Sequence, residues 1–130
     1  MRRRNKLLLL AFLPLLAIAG CATVYQKEGI FSNGYSDFRL SQDTFVVTFR
    51  ANEHTAPEAV MQYALQRASE LVLKKGFSHF EIADQQRGGS PERKDLPSLH
   101  YPSLRLTIKC YDQKPMDRET IDARHFLAHQ

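Results

Sequence analysis

Thr55-Ala56-Pro57-Glu58-Ala59-Val60-Met61-Gln62-Tyr63-Ala64-Leu65-Gln66-Arg67-Ala68-Ser69-Glu70-Leu71-Val72-Leu73-Lys74-Lys75-Gly76 is the stretch on which the fold turns. Val60, Tyr63, Ala64, Ala68, Leu71 and Val72 recur at three and four residues and make one apolar stripe, as in a helix laid on a core. Its start is written in Thr55, placed to cap a free backbone N–H, in Glu58, placed to return the bond, and in Pro57, which the first turn tolerates. Its end is written in Lys74 and Lys75, cations suited to the negative end of the helix dipole, and in Gly76, suited to a left-handed stop. The small side chains of Ala64 and Ala68 allow the helix to lie close on a sheet.

Strand patterns flank this helix on both sides. Residues 35–40 and 44–50 read as a hairpin across Ser41-Gln42-Asp43, because Phe38 and Leu40 alternate on the first strand and Phe45, Val47 and Phe49 on the second. After the helix, residues 77–83 resume a strand with Phe80 and Ile82 on one face. Residues 103–112 form another, with Leu104, Leu106, Ile108 and Cys110 on one face. Between them, residues 84–102 contain Gly88, Gly89, Pro91, Pro97 and Pro102 and read as an unusually long loop. Residues 117–128 suggest a short helix touching the core through Ile121 and Phe126 or Leu127. The fold class expected is therefore α+β: a small antiparallel sheet of about four strands, one long helix packed on one face, and a short C-terminal helix. Phe38, Phe45, Phe49, Phe77 and Phe80 are the expected filling of its interior.

Upstream of this domain, Arg2, Arg3, Arg4 and Lys6 precede the apolar run of residues 7–17, and Ile18-Ala19-Gly20-Cys21 follows it. A basic start, a short apolar middle and a small-residue exit are the parts of a secretory signal peptide. Residues 7–19 are too few to cross roughly 30 Å of hydrocarbon, which takes about twenty apolar residues. A cysteine directly after Ala-Gly resembles the lipobox of bacterial lipoproteins. That resemblance implies cleavage between Gly20 and Cys21, with diacylglycerol on the Cys21 sulfur and an N-acyl chain on its amine. By similarity to lipoprotein sorting, Ala22 and Thr23, with no Asp after the Cys, imply transfer to the periplasmic face of a Gram-negative outer membrane. The chain then divides into a signal peptide at 1–20, the lipidated Cys and a tether at 21–33, and a single domain at 34–130. Fully extended, the dozen residues of such a tether would reach roughly 40 Å.

Charge follows from that division. The whole chain carries a formal +4, but the leader holds four of the 18 basic residues, which leaves 14 against 14 acidic ones. A neutral exported domain lacks the basic face that displaces phosphate counterions, so nucleic acid is not an expected partner. Cys110, left without an internal partner once Cys21 is lipidated, reads as a buried, inert thiol.

The domain also resembles a family of short, largely uncharacterised proteobacterial lipoproteins. The residues that carry the likeness are Gly34-Tyr35-Ser36-Asp37, Phe49-Arg50-Ala51-Asn52, the helix run from Tyr63 through Arg67-Ala68-Ser69-Glu70-Leu71, Gly76-Phe77 with Phe80, and Asp122-Ala123-Arg124. Ala51 stands where that family has Gly, and Ser69 where it has Ala. The resemblance implies a lipoprotein and supplies no agreed activity.

Few residues suggest chemistry. Arg67 and Glu70, at i and i+3, read as a surface ion pair or a contact fixing the helix on the sheet. Asn52 suits a backbone turn. His54, His79, His100, His125 and His129 do not fall at metal-ligand spacings, there is no G-x-S-x-G elbow, and Asp117 with Glu119 reads as a charged helix start. The expectation is a non-enzymatic protein without cofactor or metal, held to the membrane by its lipid and acting as an interaction or structural component of an envelope assembly. Arg87, Arg93, Lys94 and Tyr101 are the expected contacts to another envelope protein. A small-ligand-binding or envelope-stress-sensing lipoprotein is the alternative.

Overall fold

The computed structural model describes residues 22–29, 33–88 and 102–130. The elements are β1 (Gly34–Arg39), β2 (Thr44–Arg50), α1 (Pro57–Lys74), β3 (His79–Gly88), β4 (Ser103–Tyr111), β5 (Ile121–Asp122) and α2 (Ala123–Ala128). The sheet is antiparallel throughout, in the order β1-β2-β4-β3-β5, with α1 and α2 over one face. The expected α+β class is the one observed. The fifth strand is a two-residue pairing of Ile121 and Asp122 with Phe80 and His79, too short to leave an alternation in the sequence.

Helix α1 ends as its sequence dictates. Gly76 has φ +87°, Phe77 N–H bonds Val72 C=O at 3.0 Å, and Gly76 N–H bonds Leu73 C=O at 3.1 Å. This pair of bonds satisfies carbonyls that the helix end leaves open and turns the chain toward β3. Its start differs from the expectation. Ala56 is the N-cap and no side chain bonds there, because the Thr55 hydroxyl is engaged elsewhere.

The core lies between α1 and the inner face of the sheet. Phe45, Val47 and Phe49 of β2, Leu104, Leu106, Ile108 and Cys110 of β4, and Phe80 of β3 meet Val60, Ala64, Ala68, Leu71 and Val72 of α1. Ala123 of α2 closes the cluster. Each large side chain buried in this way contributes roughly 1.5–3 kcal/mol.

Three local expectations are corrected. Phe38 is 51% exposed and Leu40 57%, because the register Asp37↔Val47 and Tyr35↔Phe49 turns Tyr35 and Asp37, not Phe38, toward the helix. Strand β3 runs on to Gly88, so residues 84–88 are strand rather than loop. Ile82 pairs with Ile108 and Asp84 with Thr107, which makes Ala83 the extra residue of a bulge. The C-terminal helix starts at Ala123, where the Asp122 carboxylate accepts from His125 N–H at 3.0 Å. Asp117 therefore lies in the preceding loop, paired with Arg118 at 3.2 Å.

Within the segment expected as a tether, residues 23–28 are docked. Tyr35 N–H bonds Gln26 C=O, and Glu28 N–H bonds Tyr35 C=O, each at 2.7 Å, so residues 26–28 lie against the β1 edge as a parallel bridge. Gly34 makes the approach possible: its φ is +119°, and a Cβ there would stand 2.4 Å from the Gln26 oxygen. Residues 23–28 thus pack on the domain ahead of residue 34.

Candidate functional site

The docked segment after Cys21 is where the described structure departs most from a plain helix-on-sheet domain. It is built from two clusters. At its start, Thr23 is buried against the β2–α1 junction. Thr23 N–H donates to Thr55 Oγ1 at 2.8 Å and, more distantly, to Asn52 Oδ1 at 3.3 Å. Asn52 N–H returns a bond to Thr23 Oγ1 at 2.7 Å. Asn52 Oδ1 also accepts from His54 N–H at 3.1 Å and from the Thr55 hydroxyl at 3.0 Å. The turn role expected of Asn52 is thus present. The Thr55 hydroxyl that was expected to cap the helix holds Thr23 instead. A reciprocal set of buried bonds of this kind fixes one backbone on another, since separating them strands each partner.

Two residues on, Tyr25 lies across the helix. Its ring stacks on Tyr35 at 5.0 Å and meets Tyr63 at 5.9 Å, while Tyr63 reaches Phe49 at 5.1 Å, so an aromatic chain runs from the core to the surface. The Tyr25 hydroxyl donates to Glu70 Oε2. Burial first, and then this bond to a carboxylate, push the Tyr25 phenol well above its ordinary value. Arg67 completes the cluster: Nε donates to Asp37 Oδ2 at 2.7 Å, Nη1 lies 3.6 Å from Glu70, and the guanidinium covers the Tyr35 ring at 4.5 Å. Arg67 and Glu70 therefore join helix, edge strand and N-terminal segment, which is the fixing contact expected of them. Arg50 with Glu28, at 3.0 Å, adds an exposed pair to the same seam.

Elsewhere on the surface, Glu81 accepts from Tyr111 at 2.8 Å and from Arg118 at 3.1 Å. The Tyr111 bond first, and Arg118 next, hold its carboxyl below the usual range. A depression of about 410 Å³ beside β1 is lined by Lys27, Tyr35, Ser36, Asp37, Arg67 and Lys74. Its lining is polar, whereas small-molecule pockets are mostly apolar with a few polar groups. The cleft between the α1 start and the β3–β4 end, lined in part by Val60, Arg87 and Leu104, holds about 130 Å³, below the 300–1,000 Å³ or so of a ligand site.

The remaining sequence candidates separate. Arg87 is exposed on β3 opposite Leu104, while Gly20, Cys21, Arg93, Lys94 and Tyr101 lie outside the described residues. Among the histidines described, His54 lies 3.4 Å from Glu53, His79 lies 3.6 Å from Asp122, and the His125 and His129 rings lie 4.1 Å apart, tilted by 30°. No group of three or more metal-ligating side chains occurs among the described residues. Cys110 is buried in β4, and burial first, then the nearby Asp43 charge, push its thiol up to about 12. Among the described residues no helix is long and apolar enough to cross a membrane.

The Thr23 and Tyr25 contacts were not legible as a site. Weak periodicity and mixed polarity in residues 22–33 resemble a linker, and bonds spanning 29 to 45 residues leave no local spacing to read. Compared with known protein families, curated proteins and solved structures, the chain finds no match.

Proposed function

We propose that this protein is a non-enzymatic lipoprotein, anchored through lipid on Cys21 to the periplasmic face of a Gram-negative outer membrane, and that it serves as an interaction or structural component of an envelope assembly. The observation that carries this reading is the continuity between the lipobox, Ala19-Gly20-Cys21, and a segment that docks on the domain from Thr23 onward. Two or more acyl chains make a stable anchor where one holds only marginally. An anchor joined directly to a folded body suits a protein that presents surfaces at a fixed place.

The filled interior favours this reading over small-ligand binding or stress sensing through a pocket. Phe45, Phe49, Phe80, Leu106 and Ile108 are all buried between helix and sheet. Candidate contacts to another envelope protein are Arg87, Arg93, Lys94 and Tyr101, together with the β3 edge beyond its two-residue pairing with β5, by strand addition.

The Cys21→Ser protein is expected in the soluble periplasmic fraction, and its retention in the membrane would refute the anchor. Crosslinking of the native protein in cells, followed by mass spectrometry, is expected to capture one reproducible envelope protein. Capture is expected to fall when Arg87, Arg93 and Lys94 are changed together to Ala. Recovery of abundant envelope proteins alone would shift the reading to ligand binding.

A further inference from the structure

We infer that the N-terminal segment orients the domain, holding the β2–α1 end against the lipid headgroups and the opposite end away from them. The inference rests on lipidation of Cys21. Its structural ground is the bonding of Thr23, two residues after that cysteine, to Asn52 and Thr55. Consecutive Cα atoms are about 3.8 Å apart, so two steps span at most about 8 Å. A lipid attached to Cys21 would therefore keep the β2–α1 junction within about 8 Å of the lipidated residue. The tether read from the sequence allowed roughly five times that reach.

The strand register shows which residues share this end. Arg50 pairs with Gly34 on one side and Ser103 on the other, and Ser103 pairs with Gly88. The ends of β1, β2, β3 and β4 nearest the anchor thus lie together, with Glu53, His54 and the first turn of α1 beside them. At the far end are the β1–β2 turn, residues 40–43, and the C-terminus of α1. An 18-residue helix is about 27 Å long at 1.5 Å per residue, which is the height separating the two ends if α1 stands on the bilayer.

At the near end Arg50 is paired with Glu28 and His54 lies against Glu53, while Arg87, next to Gly88, is exposed there. The partner is the bilayer surface itself, brought into contact by a covalent anchor and the Thr23 bonds. The consequence concerns the outer face of the sheet, where Phe38 is exposed. Held in this way, that face stands along the membrane normal, accessible from the periplasm over the height of the domain.

The test uses the full-length lipidated protein, purified and placed in nanodiscs whose lipids carry a nitroxide on the headgroup. A fluorophore is attached at Glu53→Cys or, separately, at Gln42→Cys; Cys110 is buried and stays unlabelled. Quenching is expected to be at least threefold greater at 53 than at 42. Insertion of ten Gly/Ser residues between Cys21 and Ala22, which leaves the Thr23 bonds intact, is expected to abolish the difference. Equal quenching at the two positions in the uninserted protein would overturn the orientation. A difference that survives the insertion would overturn the role of the short anchor. The mass of the N-terminal peptide from the same sample reports lipidation separately: a peptide without acyl chains refutes the anchor, and an acylated one leaves the quenching to judge the orientation.

Discussion

Arg67 of α1 and Asp37 of β1 are 30 residues apart in the chain, and their side chains meet at 2.7 Å with only 15% and 21% of their surfaces exposed. The guanidinium also lies over the Tyr35 ring and is neighboured by Glu70. The outermost strand of the sheet is therefore tied to the helix by a charged bond where an apolar contact would be usual.

Removing the cation should be costly. Arg67→Ala leaves the Asp37 carboxylate facing the helix without its donor, and a loss of about 2–3 kcal/mol is expected in urea unfolding of residues 22–130. Arg67→Lys should recover only part of this, because an ammonium cannot both bond Asp37 and lie flat on Tyr35. A loss under about 0.5 kcal/mol for the Ala variant would mean that the pair behaves as an exposed one.

This same pair explains what the sequence showed and what it hid. The helix was legible because its stripe and its Lys74-Lys75-Gly76 ending are local signals, and the bonds at Gly76 and Phe77 follow them. The β2 and β4 strands were legible because Phe45, Val47 and Phe49, and Leu104, Leu106 and Ile108, alternate cleanly and bury together. In β1 the alternation misled. The helix-facing positions carry Tyr35 and Asp37, whose reason for being inside is Arg67, while the apolar Phe38 faces outward. Thr55 misled in the same way: its type and place suit a cap, and only the folded chain brings Thr23 to compete for its oxygen.

Ser69 offers a gain in stability. Its hydroxyl is fully buried on α1 without a hydrogen-bond partner among the described residues, which carries the desolvation penalty of a polar group for no return. Ser69→Ala is expected to stabilise by about 1 kcal/mol, helped by the better helix propensity of alanine. For a domain of this size that is a rise of roughly 4–8 °C in Tm. A fall in Tm would show that the hydroxyl makes a bond that the structure does not contain.

Gly34 and Gly76 separate strain from contact. Both have positive φ, but a Cβ at 76 meets nothing within 4 Å, whereas one at 34 runs into Gln26 and Lys27 backbone. Gly76→Ala should cost about 1–2 kcal/mol through backbone strain alone. Gly34→Ala should cost more and should also free the N-terminal segment. Hydrogen exchange at the Tyr35 and Glu28 amides is expected to accelerate in the Gly34 variant and stay unchanged in the Gly76 variant. Equal protection in both would mean that the segment is held by Thr23 and Tyr25 without the bridge.

Alkaline pH should loosen the fold in two stages. Burial first, and then the Asp43 charge, push the Cys110 thiol from its ordinary 9.0 up to about 12 in the fold. Its contribution is complete below pH 9 and is lost as pH rises from there, because the unfolded chain gains a thiolate that the folded chain withholds. Tyr25, ordinarily near 10.0, is raised by burial and by its bond to Glu70, so the same sign applies from pH 10 upward. Urea midpoints measured between pH 7 and 11 are therefore expected to be flat to about 9 and to fall beyond it. Cys110→Ala should delay the onset to about 10, and Tyr25→Phe should reduce the slope above 10. Tyr111, raised by burial and by its bond to Glu81, leaves a residual slope in both variants. An alkylating reagent at pH 8 is expected to reach Cys110 only as fast as the chain unfolds, since the thiol is both buried and protonated. Rapid labelling of the folded protein, or a midpoint indifferent to pH in the wild type, would contradict the burial on which both stages depend.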